Sequence, residues 1–158
     1  MNSRAWRVAP ALAGLLLAAG CGGSPAPAAS GHGPKVTVLT GHINGVGQVL
    51  VTARGYALYM FEPDQQRSVT CTGACAGSWP PVKVPGGGSP VAGAGVDGKL
   101  LGSDPDPGGG QVLTYNGWPL YTYTGDVQPA QATGQAIDLN GGEWYVLRPD
   151  GTPLKPTP

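Results

Sequence analysis

The chain has 158 residues, 28 of them glycine and 17 proline, with nine basic and nine acidic side chains. Past the leading segment, which holds Arg4 and Arg7 and no acid, seven basic residues face nine acidic ones, a net charge near minus two. Nucleic-acid binding needs a basic patch that displaces counterions, and no Lys or Arg cluster stands anywhere past the leader, so that class is excluded.

The first element is a leader. Arg4 and Arg7 precede an apolar run over residues 8–19, and Ala18, Ala19 and Gly20 lead into Cys21. A basic start, a short apolar stretch and small residues before a cut are the marks of a signal peptide. A dozen apolar residues broken by Pro10 fall short of the roughly 20 that a membrane-spanning helix needs. The run Leu17-Ala18-Ala19-Gly20-Cys21 resembles the lipobox of bacterial lipoproteins, with Ala18 where a larger aliphatic residue is usual. That resemblance implies cleavage after residue 20, diacylglycerol and palmitate on Cys21, and anchorage on the outer face of a bacterial membrane. Residues 21–34, rich in Gly, Ser, Pro and Ala, cannot bury an apolar face and read as the lipidated N-terminus and a flexible tether. His32 falls there and is expected to be solvated.

Residues 35–158 suit one domain with a modest core. Helical periodicity is confined to the leader, so an all-β fold is expected: a small single domain of two related β-hairpin units with long Gly/Pro-rich loops. Shifting the chain by 62 positions lays Thr52, Gly55, Leu58, Tyr59, Phe61 and Asp64 on Thr114, Gly117, Leu120, Tyr121, Tyr123 and Asp126. The repeat units span about 48–82 and 110–147. In the first, two β-favouring runs flank Arg54-Gly55; in the second, they flank Asn116-Gly117, a dipeptide that tolerates the positive φ angles of a type I′ turn. Alternation puts Tyr59 and Phe61 on one face and Leu58 and Met60 on the other, and the same holds for Tyr121 and Tyr123 against Leu120 and Thr122. The aromatic face is expected to be the core, with Met60 partly covered. Asp64 and Asp126 follow the strands and are expected to close Asx-type turns. Further hairpins are expected at Asp97-Gly98 and around Pro149-Asp150-Gly151.

With these residues in view, the chain resembles the secreted lipoproteins marked by a repeated Y-x-(F/W/Y)-x-x-D motif. The motif stands as Tyr59-Met60-Phe61-Glu62-Pro63-Asp64 and as Tyr121-Thr122-Tyr123-Thr124-Gly125-Asp126. The same family shows a cysteine pair followed by Trp-Pro-Pro, here Cys71, Cys75 and Trp79-Pro80-Pro81, and a later Tyr-Asn-Gly, here Tyr115-Asn116-Gly117. Trp144-Tyr145-Val146 fits its closing strand, and the resemblance covers residues 46–151. The Pro- and Gly-rich stretch 104–110 departs from the pattern and reads as an expanded loop. Membership implies location and fold, and names no activity.

Lipidation accounts for Cys21 and leaves Cys71 and Cys75 as a pair in an oxidising compartment, where a disulfide is expected. The alternative is an extracytoplasmic copper or thiol-redox protein, with the C-x3-C thiolates assisted by His42 or Met60. Hydrolase chemistry lacks a nucleophilic elbow, and a glycosidase-type pair of Asp64 and Asp126, with Glu143 as a further candidate, requires their convergence in one cleft. Trp79, Trp118, Tyr56 and Tyr115 are candidate contact surfaces, each weighed toward burial. The expectation is a non-enzymatic surface or binding module with no catalytic residues, no cofactor, and a protein or small-molecule ligand left unidentified.

Overall fold

The computed structural model describes residues 35–65, 68–86 and 88–157. The leader at 1–20, Cys21, the tether at 21–34 and His32 lie outside the described residues.

The β-branched run at the start of the domain forms the longest strand, β1 (Val36–Ile43), which turns at Gly45 into β2 (Gly47–Thr52). The pair is antiparallel, from Val38 opposite Thr52 to Ile43 opposite Gly47. A second sheet holds β3 (Tyr59–Phe61), β9 (Ile137–Asp138) and β10 (Glu143–Val146) in the order β3-β10-β9. The third holds β4 (Lys83–Val84), β7 (Gln111–Tyr115) and β6 (Leu101–Pro105) in the order β4-β7-β6, with β8 (Trp118–Pro119) also paired to β7. The last strand, β5 (Pro90–Ala92), runs parallel to β1 and completes the order β2-β1-β5 in the first sheet. The only helical pieces among the described residues are a 3-10 turn at Glu62–Asp64 and a five-residue helix, α1 (Ala74–Ser78). The all-β, two-unit architecture is therefore the one observed.

Both hairpin turns form where expected. Gly55 donates to the Thr52 carbonyl and Thr52 to Tyr56, while Tyr115 pairs with Trp118 across Asn116 and Gly117. The latter two have φ of 50° and 80°, as a type I′ turn requires. Around Pro149-Asp150-Gly151 the chain also doubles back, with Arg148 donating to the Thr152 carbonyl and Leu154 to that of Val146.

The two units are interleaved, which self-alignment does not reveal. In the first hairpin Leu50 donates to the Leu147 carbonyl and Leu147 donates to that of Leu58, so the tail of the second unit completes the first. In the second hairpin Leu113 donates to the Val82 carbonyl and Val82 to that of Leu120, so the tail of the first unit completes the second. Between them Tyr59 and Tyr121 exchange backbone hydrogen bonds, 2.9 Å each way. The arrangement is a pseudo-twofold with its axis between these tyrosines.

This interleaving gives each central strand two buried faces. Tyr59, Phe61, Tyr121, Trp79 and Trp144 belong to one core, and Leu58, Met60, Leu50, Leu113, Leu120 and Leu147 to a second. The expectation of a single aromatic core with a partly covered Met60 is corrected: Met60 is fully buried. Ile43, Val49 and Val51 of β1 and β2 join the first core and Val38 and Leu50 the second, while Leu113 and Tyr115 of β7 join the second with Leu101 of β6 packed against it. The turn at Asp97-Gly98 is likewise not a hairpin. Its flanking strands, β5 and β6, pair with β1 and β7 in different sheets. Asp97 instead caps a local turn, accepting from the Lys99 N–H and donating its own N–H to the Tyr115 hydroxyl. Of the stretch 104–110, Asp104 and Pro105 are strand, and the remainder is a tight loop in which Asp106 donates its backbone N–H to the Gly110 carbonyl.

Candidate functional site

The motif residues converge on the pseudo-twofold. Tyr59 leaves β3 toward the second unit and donates its hydroxyl to Asp126 Oδ2 at 2.7 Å; Tyr121 donates to Asp64 Oδ2 at 2.6 Å. The tyrosine of each motif thus serves the aspartate of the other. Each carboxylate uses its second oxygen within its own unit: Asp64 Oδ1 accepts from the N–H and hydroxyl of Thr70, and Asp126 Oδ1 from those of Thr133. These are loop closures six and seven residues long, so the expected Asx-type turns are corrected. An Asx turn bonds two residues on, and here the intervening loops fold back over the strand ends. Tyr59 also accepts the Gly134 N–H at 3.2 Å.

Both aspartates are buried. Burial raises the Asp64 carboxyl above the ordinary carboxylate range, against the opposing pull of hydrogen bonds from Thr70, Tyr121 and the Cys71 N–H. Burial, then the bonded carboxylate, pushes the Tyr59 and Tyr121 phenols far above their usual range. Neutral phenols therefore donate to the acids, and the polar set is satisfied without a counter-cation.

Around this centre the rings form a continuous stack. Phe61 lies on Trp144 at 4.2 Å, Trp144 on Trp79 at 3.9 Å, and Trp79 on Tyr123 at 4.1 Å. Tyr59 and Tyr121 meet Trp79 and Trp144 edge-on, each at 5.2 Å. Stacked and T-shaped pairs in this range add about 0.5–1.5 kcal/mol each beyond burial. Trp79 is placed by α1: its backbone N–H donates to the Cys75 carbonyl at 2.8 Å, and the sulfurs of Cys71 and Cys75 stand at disulfide distance, with Cα atoms 5.2 Å apart.

The other sequence candidates are dispersed. His42 is exposed on β1 opposite Gln48, Met60 lies in the second core, and Cys71 lies in the first. The ligand set Cys71, Cys75, His42 and Met60 is therefore not brought together. Among the described residues no three His, Cys, Asp or Glu side chains gather at one point. Glu143 is exposed and accepts from the Tyr145 hydroxyl at 2.6 Å, a bond that, with burial, pushes this phenol up to about 12. Trp79 and Tyr115 are buried, whereas Tyr56 and Trp118 are half-exposed, with the Arg54 guanidinium over the Tyr56 ring at 5.3 Å. Among the described residues no helix is long and apolar enough to cross a membrane.

Sequence reasoning missed Thr70 and Thr133. The self-alignment conceals them, because one stands six residues after its aspartate and the other seven. It also missed the equivalence of Trp79 with Trp144, which stand 65 rather than 62 positions apart.

Comparison with known proteins agrees with this geometry. The model of a family described as a secreted repeat of unknown function matches twice, over residues 43–83 and 104–148, more than half of the chain. No curated protein and no solved structure matches.

Proposed function

For a chain that belongs to this family of secreted repeats, we propose a lipid-anchored lipoprotein whose domain is a non-enzymatic binding or structural module on the outer face of a bacterial membrane. The family's secreted character places the domain outside the cytoplasm. The lipobox-like run ending at Cys21 supports the anchor, since a diacylglycerol thioether together with an amide-linked acyl chain supplies the two signals that stable attachment needs.

The observation that carries the non-catalytic reading is the reciprocal bonding of Tyr59 to Asp126 and Tyr121 to Asp64. The first tyrosine and the aspartate of each motif are bonded to those of the other motif inside the core, where they hold the two units in register. A general acid or nucleophile, by contrast, has to reach a substrate.

Two arms test the proposal. Wild type and Cys21→Ala are grown with an alkyne palmitate analogue and fractionated. The label and membrane retention are expected in wild type alone, and a Cys21→Ala chain that stays with the membrane overturns the anchor. Asp64→Asn and Asp126→Asn are expected to lower the unfolding midpoint. If either leaves stability intact yet fails to complement the phenotype of a deletion strain, the motif is catalytic and the module reading fails.

A further inference from the structure

The pseudo-twofold is broken at one place. The 62-position shift that superposes the two units sets Thr122, Tyr123 and Asp126 against Met60, Phe61 and Asp64. In the first unit Met60 and Phe61 are apolar and buried; in the second this strand end is polar, and Thr122 and Tyr123 are only half-buried. A cavity of about 360 Å³ opens there, lined by Thr122, Tyr123 and Asp126 of the second unit and by Thr52, Arg54 and Tyr56 of the first hairpin. The scaffold is repeated, and the polar, uncovered strand end is not.

A loop ties the two walls together. It leaves Asp126 and returns to the first hairpin, where Ala130 donates its N–H at 3.0 Å to the carbonyl of Gly55, the residue between Arg54 and Tyr56. Ala130 has φ of 60°, a conformation that residues with a Cβ rarely adopt. Strain of this kind persists where the surrounding structure holds it, and it collects at ligand sites.

The lining groups are largely uncommitted. Among the described residues Arg54 has no carboxylate at ion-pair distance, and its guanidinium lies over the Tyr56 ring. The Tyr56 and Tyr123 hydroxyls have no hydrogen-bond partner among those residues. Thr52 Oγ1 accepts from the Tyr56 N–H and keeps its own proton to give, while Thr122 Oγ1 stands 3.5 Å from the Pro80 carbonyl, at the limit of a bond. Asp126, by contrast, has both oxygens taken, by Tyr59 and by Thr133, and meets the cavity as a fixed negative charge.

We infer that this cavity binds a neutral saccharide, a reading that rests on the binding module proposed above and names its ligand class. An anion drawn to Arg54 meets the Asp126 charge in the same cavity, and a cation meets the guanidinium; a neutral ligand escapes both penalties. Five hydrogen-bonding side chains and two aromatic rings in so small a space ask for polar atoms all round the edge of an apolar body. A pyranose ring has that form: its C–H faces lie against the tyrosines, and its oxygens accept from Arg54, the phenols and the threonine hydroxyls. The volume falls at the low end of the roughly 300–1,000 Å³ usual for small-molecule sites.

The test uses the full lipidated chain in micelles of a sugar-free detergent, with chitotriose, maltotriose, mannotriose and galactotriose as probes, read by isothermal titration. Saturable binding of at least one is expected, with a dissociation constant of about 1 mM or tighter. Arg54→Ala, on an exposed turn, and Thr122→Met, which fills the cavity with its counterpart's side chain, are each expected to weaken it about tenfold or more while the far-UV spectrum is kept. Retention on insoluble chitin or amylose as well would assign a polymer's internal ring, and binding of the trisaccharide alone a soluble sugar. Should Thr122→Met fail to fold, Arg54→Ala decides alone. No binding of any of the four by a folded chain, or equal binding by Arg54→Ala, overturns the site. Tighter binding of trigalacturonate than of galactotriose also overturns the proposal, in favour of an anion. Such a failure leaves the anchored-module reading standing, since that reading falls only with the Cys21 and motif variants.

Discussion

The two buried phenols make stability fall steeply at high pH, and the slope follows from the structure. In the unfolded chain Tyr59 and Tyr121 ionise near 10; in the folded chain burial and the adjoining carboxylates hold their protons far higher. The folded state therefore keeps protons that the unfolded state releases, and the contribution present below pH 10 is lost as pH rises beyond it. Each pH unit above 10 costs about 1.4 kcal/mol per tyrosine, so at pH 11 the pair costs about 2.8 kcal/mol relative to pH 8. Urea denaturation of wild type, Tyr59→Phe, Tyr121→Phe and the double variant at both pH values isolates this from Tyr145, which all four chains share. Each phenylalanine is expected to remove about 1.4 kcal/mol of the alkaline loss. A double variant that loses as much stability between pH 8 and 11 as wild type would refute the reasoning.

At pH 7 the same substitutions destabilise by about 1–3 kcal/mol, because each leaves a buried acceptor oxygen of the facing aspartate without its partner. Tyr59→Phe should be the worse, because it also strands the Gly134 N–H, and urea midpoints rank the two. Asp64, raised by burial, behaves oppositely to a salt-bridged acid. Its folded form holds a proton that the unfolded form releases above about 3.8, so stability rises as pH falls toward that value. Asp64→Asn is expected to flatten this acid limb in thermal melts between pH 4 and 7. Changing Cys71 and Cys75 to serine should lower stability by about 2 kcal/mol, the loop-closure value for so short a bridge, with an equal loss on adding reductant to wild type. Trp144→Ala, which empties the centre of the ring stack, should cost about 3–5 kcal/mol in urea, and a loss under 1 kcal/mol would contradict the packing.

Local features were legible because they are periodic or punctuated. Asn116-Gly117 signals its turn through the φ angles it tolerates, and alternation correctly divides Tyr59 and Phe61 from Leu58 and Met60. Alternation cannot say how many faces are covered. Polar Thr122 at the counterpart position suggests a half-covered Met60, yet interleaving buries both sides of β3. Exchange of tails is likewise silent in the sequence: Leu147 and Val82 are ordinary strand residues whose partners depend on tertiary closure. β1 carries a clear β-branched pattern but lies outside the repeat, so self-alignment passes over it. The aspartates drew attention as chemistry; that they face the opposite motif's tyrosines follows only once Tyr59 and Tyr121 meet backbone to backbone.

The central claim is that each motif tyrosine serves the other motif's aspartate, and double-mutant cycles measure it directly. Tyr59→Phe with Asp126→Asn, and Tyr121→Phe with Asp64→Asn, are predicted to couple by about 1–3 kcal/mol in urea denaturation. The within-motif cycles, Tyr59 with Asp64 and Tyr121 with Asp126, should couple by less than about 0.5 kcal/mol. Strong coupling within each motif and none between them would contradict the account.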